Sequence, residues 1–366
     1  MPRFTRTWSV PQAKGLILVH AEPEERVARW PLADTPVELA PVANKPILVH
    51  QLEALAAAGI LEVGVVGSPA IAPRLRAVVG EGERWGVRIT HIAPSAPLTI
   101  LESLLIAEEF VTGGPFVVEL AGHLVRHDIA AAIAGLGDAY DAVVVGQPVR
   151  PSPRRERLLP WDGPGGGITT VISPVAGLDR VDVMALSPEV FPTVHELTAS
   201  GPPLDGLTEL IRRLQWSGRV RTEAVGGWGR RIRDAEDLVD ANQRMLVDLA
   251  ADYDEERLVE ATVQGAVAIH PTATVQSSIL RGPSIIGPHA VLVDAFIGPY
   301  TSIGEGASVE GTELENCVIL PGAVLKHPGI RLEGSVIGEN ARVSRGYGLP
   351  RAMRLWVGTD ADIALG

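Results

Sequence analysis

AFIGPYTSIGEGASV, residues Ala295–Val309, carries two Ile-Gly steps six residues apart, at 297–298 and 303–304. The same step stands at 286–287 and 337–338. Around these the chain reads VQGAVAI, ATVQSSIL, GPSIIGPHAVLV, ENCVILPGAVL and GSVIGENARV, with small or β-branched residues recurring near a six-residue step. That period, with one aliphatic residue per face, predicts a left-handed parallel β-helix over residues 261–345. Each Ile or Val stacks under the next coil, and the glycine beside it lets the corner turn without a clash. An antiparallel β-sandwich with glycine turns is the alternative, but it does not need the Ile-Gly step. His270, His289 and His327 lie in this region without a partner motif and read as surface histidines.

Upstream the pattern changes to apolar runs alternating with helical spacing. KGLILV (Lys14–Val19), LEVGVVG (Leu61–Gly67), VRITHIA (Val87–Ala93), PFVVEL (Pro115–Leu120), DAVVVGQPV (Asp141–Val149) and RVDVMAL (Arg180–Leu186) read as strands. KPILVHQLEALAAAGI (Lys45–Ile60) has Leu48, Leu52, Leu55 and Ala56 at helical spacing. RLRAVVGEG, LESLLIAEEF, HDIAAAIAGLG, LTELIRRLQWSG and RDAEDLVDANQRMLVDLA read as further helices, the last closing the first domain. Strands separated by short helices predict an α/β domain over residues 14–250, its largely parallel sheet covered on both faces. A ligand cleft belongs outside the carboxyl ends of the strands. Residues 1–13 read as an N-terminal extension and 346–366 as a C-terminal tail.

The chain has 366 residues, enough for two domains with sizeable cores. Its net charge of −12 argues against a nucleic-acid partner, which needs a basic surface. One cysteine, Cys317, excludes an internal disulfide framework and a thiolate metal cluster. No apolar run reaches the length of a membrane span, and the first dozen residues lack the apolar core of a signal peptide. A cytoplasmic protein with no membrane partner is the expectation.

Four stretches, PVANKPILVHQLEALAAAGI (Pro41–Ile60), APLTILESLLIAEEF (Ala96–Phe110), AEDLVDANQRML (Ala235–Leu246) and AFIGPYTSIGEG (Ala295–Gly306), together closely resemble the long form of glucose-1-phosphate thymidylyltransferase. The resemblance runs from about residue 14 to the end. It implies a Rossmann-like nucleotidyltransferase domain followed by a hexapeptide-repeat β-helix. It also implies a magnesium-dependent condensation of a nucleoside triphosphate with a sugar 1-phosphate, carried out by dimers or tetramers.

That chemistry needs amides close to a triphosphate, cations to offset its charge and carboxylates to hold the metal. The matching positions depart from each requirement. The loop after the first strand has no glycine between Val19 and Pro46, and Glu22, Glu24 and Glu25 occupy it. Arg26 falls near the family's catalytic arginine, and Val37 stands where the family has lysine. The two metal aspartates align with Gly122 and Arg231; glycine offers no ligand and a guanidinium offers only donors. The base-binding glutamine aligns with Pro94 and a family glycine with Thr99, while the sugar-phosphate glutamate and lysine align with Ile172 and Ser173. Asp234 and Glu236 lie near the second metal position but read as charges at a helix start.

These substitutions fall together, so thymidylyltransferase activity and bound magnesium are not expected, and no other cofactor is implied. The first expectation is a catalytically silent protein that assembles with itself, with an active homologue or with another enzyme of a sugar or secondary-metabolite pathway. The second is a repurposed enzyme using His20, His123, Glu119 and nearby carboxylates, with His127 in reach, for proton transfer or metal binding. A residual nucleotide-sugar pyrophosphorylase and a small-molecule sensor remain as alternatives. Arg230, Arg231 and Arg233 form a basic cluster that can close onto the Glu22–Glu25 loop.

Overall fold

A computed structural model describes residues 10–19, 32, 35–148, 178–201, 206–224 and 226–345. The readings placed on His20, Glu22, Glu24, Glu25, Arg26, Ile172, Ser173, most of the N-terminal extension and the C-terminal tail lie outside the described residues.

The α/β domain is a seven-stranded sheet in the order Val220–Ala224, Ala142–Pro148, Leu178–Leu186, Phe116–Leu120, Lys14–Val19, Glu62–Gly67, Arg88–Ile92. All neighbours are parallel except Leu178–Leu186, which runs antiparallel to both of its own. Alternation along the strands divides the core. Ile17, Val63, Val65, Val117 and Val145 face the helices Ile47–Ala57, Ala72–Val79 and Ile129–Ala134. Leu16, Leu18, Val66, Val118 and Val144 face the helices Ile100–Ile106, Phe191–Ala199 and Gly206–Trp216. The helix predicted from Lys45 starts at Ile47, because Lys45–Pro46 pairs with Pro41–Val42 and Pro46 serves as its N-cap. A two-stranded ribbon, His123–Arg126 with Trp228–Arg231, and the edge strand Val220–Ala224 were not foreseen. Among the described residues no helix is long and apolar enough to cross a membrane.

Three stacks of short parallel strands form the β-helix. The first face runs from Leu258–Val259 to Arg342–Ser344, the second from Thr262–Gln264 to Leu332–Glu333, and the third from Val267–Ile269 to Val336–Ile337. The register pairs Val267 with Ser284 and Ser284 with Thr301, so a coil here takes 17 residues, one short of three full hexapeptides. Leu280, Ile297 and Leu314 stack inward on one face, and Val275, Leu292, Val309 and Leu325 on another.

The Ile-Gly glycines work by close approach rather than by positive φ. A Cβ on Gly287 would lie 2.9 Å from the Ile303 carbonyl oxygen, and one on Gly304 would lie 2.7 Å from Pro321 N. The left-handed turns fall on other residues, such as Glu260, Ser277 and Asp294 at successive coils.

The third face docks on the α/β domain. Val318 and Leu320 share a core with Val42, Ile47, Leu238 and Ala241. Asn242, fully buried on the Ala235–Leu246 helix, ties the parts together. Its Oδ1 accepts from Ala43 N at 2.8 Å and Ser302 Oγ at 2.6 Å, and its Nδ2 donates to Tyr300 O at 3.0 Å. Asn44 Nδ2 adds a bond to Ile303 O at 2.8 Å. The helix expected to close the first domain is therefore also the joint to the second.

Candidate functional site

Positions far apart in sequence meet at the carboxyl end of the sheet. The Phe116–Leu120 strand ends, and Gly122 turns the chain into the ribbon at φ +82. His123 then pairs directly with Arg231, and Ile232 N donates to Gly122 O at 2.9 Å. The two positions matched to metal aspartates are thus neighbours across the ribbon. Val37 covers them: a Cβ on Gly122 would lie 3.2 Å from Val37 Cγ1. A side chain at 122 would therefore press against the valine.

The arginine cluster is engaged from its own side. Arg230 Nη2 lies 2.8 Å from Asp237 Oδ1, and Arg233 Nε lies 2.9 Å from Asp237 Oδ2. Asp237 is buried, and two guanidiniums satisfy its carboxylate. The proposed closure of this cluster onto residues 22–25 involves positions outside the described residues. Asp234 is the N-cap of the Ala235–Leu246 helix, its side chain accepting from Asp237 N at 2.9 Å, as a helix-start charge should.

Thr99 caps the Ile100–Ile106 helix. Its Oγ1 accepts from Glu102 N, while the Glu102 carboxylate accepts from Thr99 N and Oγ1 at 2.7 Å each. The hydrogen bond from the Thr99 amide, and then that from its hydroxyl, hold the Glu102 carboxyl below its usual range. Pro94, with Val19, Gly67, Pro97, Leu98 and Ser103, lines a cleft of about 10 Å³, room for barely one water.

Glu119 lines a pocket whose wall does not include His123. His123 is buried at the start of the ribbon. Glu119 instead opens toward the Ile47–Ala57 helix, in a pocket of about 300 Å³ lined by Gln51, Ala54, Arg126, Trp228 and Met245, without His123 or His127 in its wall. Burial pushes the Glu119 carboxyl up to about 8, partly offset by a hydrogen bond from the Gln51 side chain, so it is an acid at neutral pH. Gln51 Nε2 donates to Leu120 O at 3.0 Å, and its buried Oε1 has no partner among the described residues. His50 donates from Nε2 to Val42 O at 2.8 Å, and burial lowers its pKa from the usual imidazole value. His127 stands apart, its Nε2 4.0 Å from Glu223 and its Nδ1 accepting from Gly226 N. Gln51 was missed in the sequence, although it falls three residues after Leu48 and four before Leu55, on the buried stripe.

Residues 30–154 match the family described as nucleotidyl transferase. The low-salt glycan biosynthesis nucleotidyltransferase of Haloferax volcanii is 30% identical over 90% of this chain and 94% of its own length. The chain belongs to the nucleotidyl transferase family. A glucose-1-phosphate thymidylyltransferase of Streptomyces griseus is 29% identical over 88% of this chain and 91% of its own length. A crystal structure described as a glucose-1-phosphate thymidylyltransferase of Bacillus anthracis superposes with a TM-score of 0.53 at 20% identity. It covers 67% of this chain and 98% of its own, and it speaks for the fold alone.

The family's magnesium does not fit the groups at positions 122 and 231. A glycine and an arginine supply no anionic oxygen there. Among the described residues no group of three or more His, Cys, Asp or Glu side chains is placed to hold a metal ion.

Proposed function

We propose that this chain is a catalytically silent member of its family, serving as an oligomeric assembly partner in a sugar or secondary-metabolite pathway of the cytoplasm. One observation carries the reading. Val37, Gly122 and Arg231 converge in space, and together they offer neither a metal ligand nor, at 37, a phosphate-binding cation. A Cβ at 122 would meet Val37 Cγ1 at 3.2 Å, so a side chain there would need the valine to give way. The scaffold that remains, a two-sided α/β core joined to a β-helix through the buried Asn242, is what an assembly partner requires. Titration calorimetry with magnesium and a nucleoside triphosphate tests the silent site. No saturable heat is expected; micromolar, magnesium-dependent binding overturns the reading.

A second reading is favoured by Glu119. A buried carboxylic acid that stays protonated near neutral pH is suited to donating a proton to a ligand in its pocket. A repurposed enzyme of this kind uses Glu119 without His123. Any reaction found for the chain should then decline as pH rises through about 8 and be abolished by Glu119→Gln. An activity indifferent to both removes this reading.

A further inference from the structure

We propose that the pocket around Glu119 binds a primary amine carried on a ring-sized apolar body, its ammonium held between the Glu119 carboxylate and the Gln51 side-chain oxygen. The proposal rests on the second reading above, in which Glu119 gives up a proton, and names the ligand class that takes it.

An apolar wall surrounds two deeply buried polar side chains. Ala54, Ala57, Leu124, Val125, Trp228 and Met245 line about 300 Å³, room for a six-membered ring. Glu119 and Gln51 are 5% and 3% exposed. Burial raises the Glu119 carboxyl to about 8, and no cation answers it among the described residues. Gln51 commits its Nε2 to Leu120 O at 3.0 Å, which sets the orientation of the amide and leaves the buried Oε1 without a donor among the described residues. One group relieves both costs. An ammonium brings three N–H donors and a positive charge, whereas a hydroxyl brings one donor and no charge.

The other titratable groups of the wall are already engaged. Glu53 is paired with Lys45 at 2.8 Å, and Arg126 is paired with Asp248. His50 donates from Nε2 to Val42 O, and burial lowers its pKa. Among the described residues, a phosphate-bearing ligand therefore meets no free cation in this wall. Trp228 favours the opposite charge: its ring already attracts the Arg244 guanidinium, 5.8 Å from the centroid.

A free amine entering the pocket takes the Glu119 proton onto its nitrogen, so an O–H bond breaks and an N–H bond forms. An amine that arrives protonated displaces the Glu119 proton to water, and one proton is released for each ligand bound. Because Glu119 must ionise, affinity falls about tenfold for each pH unit below about 7.

Calorimetric titration of the full chain with cyclohexylamine, and with cyclohexanol as its neutral counterpart, tests this. At pH 7 the amine should bind about tenfold or more tightly than the alcohol. Close to one proton should be released per site, read by repeating the titration in buffers of different ionisation enthalpy. At pH 6 the amine should bind about tenfold more weakly. Glu119→Gln keeps the shape of the side chain, and its circular dichroism should match the wild type. It should lose the preference for the amine, the proton release and the pH dependence together. Equal binding of the two probes, or an amine preference that survives Glu119→Gln, overturns the proposal. So does displacement of the amine by inorganic phosphate, which would put an anion in the pocket. No amine binding, together with a pH-dependent stability gap between the wild type and Glu119→Gln, removes the ligand and keeps the acid. A gap that is constant with pH removes both.

Discussion

Inside the β-helix like meets like: Val275, Leu292, Val309 and Leu325 stack in one column, and Leu280, Ile297 and Leu314 in another. At the mouth of the α/β sheet, unlike groups meet. Valine lies over glycine, an arginine pairs with a histidine, and a threonine caps a helix at a position where relatives are expected to carry glycine. The difference teaches what holds each residue in place. A column position is held by the coils above and below it, so its chemistry is dictated by packing alone. A mouth position answers to a ligand, and once that demand lapses, the residue is free to take part in packing or capping.

The largest effect is expected where columns rule. Leu292→Ala empties a position that is 0% exposed and contacts coils on both sides. It should destabilise the chain by about 3 kcal/mol, read from urea unfolding. A loss below about 1 kcal/mol would mean that the coils collapse onto the gap and the column is not the organising unit.

Glu119 is the exception inside the α/β core, a carboxyl held where burial disfavours its charge. Its folded pKa is raised from 4.5 to about 8. The stability associated with the neutral acid is therefore fully present below the unfolded value and is lost as pH rises toward 8. Glu119→Gln removes that dependence. The variant should be more stable than the wild type by roughly 3 kcal/mol at pH 7, with the gap closing toward pH 4. A constant gap across this range would show that Glu119 is ionised in the folded chain.

Much of this was legible in the sequence, and the division follows the same line. Ile-Gly steps announce stacked coils because the next coil's backbone excludes a Cβ at Gly287 and Gly304. The coil length of 17 was less visible, since a corner can drop one residue without disturbing the inward columns. Apolar runs announced the central strands, but the half-buried edge strand Val220–Ala224 and the ribbon at Trp228–Arg231 carry polar and charged residues that do not alternate cleanly. The residues at 122 and 231, a glycine and an arginine, could be read by position. That Val37 lies against Gly122 could not, because it depends on how a separate segment folds back. Glu119 was singled out, but Gln51 beside it was not: strand alternation directs Glu119 to the side of Val117, toward the helix that carries Gln51.

The joint between the regions ranks next. Asn242→Ala leaves Ala43 N, Ser302 Oγ and Tyr300 O without the buried amide that now joins them. A cost of about 2 kcal/mol is expected, with faster hydrogen exchange at Ala43 and along the third face. Asn242→Asp keeps the acceptor but not the donor to Tyr300 O, and should recover part of the loss. If exchange speeds up uniformly over the whole chain instead, the amide supports global folding rather than the joint.

The smallest effect separates a residue's present role from the one relatives suggest. Thr99→Ala removes the cap oxygen and one half of the reciprocal bonding with Glu102, and should cost about 1 kcal/mol. Thr99→Gly restores the residue expected in relatives at this position, and should cost only a few tenths of a kcal/mol, because glycine leaves the helix amides open to water. The contrast between two similarly small substitutions is the informative quantity. Alanine worse than glycine means that position 99 now serves the helix end and little else, so the inherited residue could return without disturbing the scaffold. Equal losses would mean that the threonine methyl or hydroxyl makes a contact beyond the cap, and position 99 would then belong with the packed columns rather than with the released mouth.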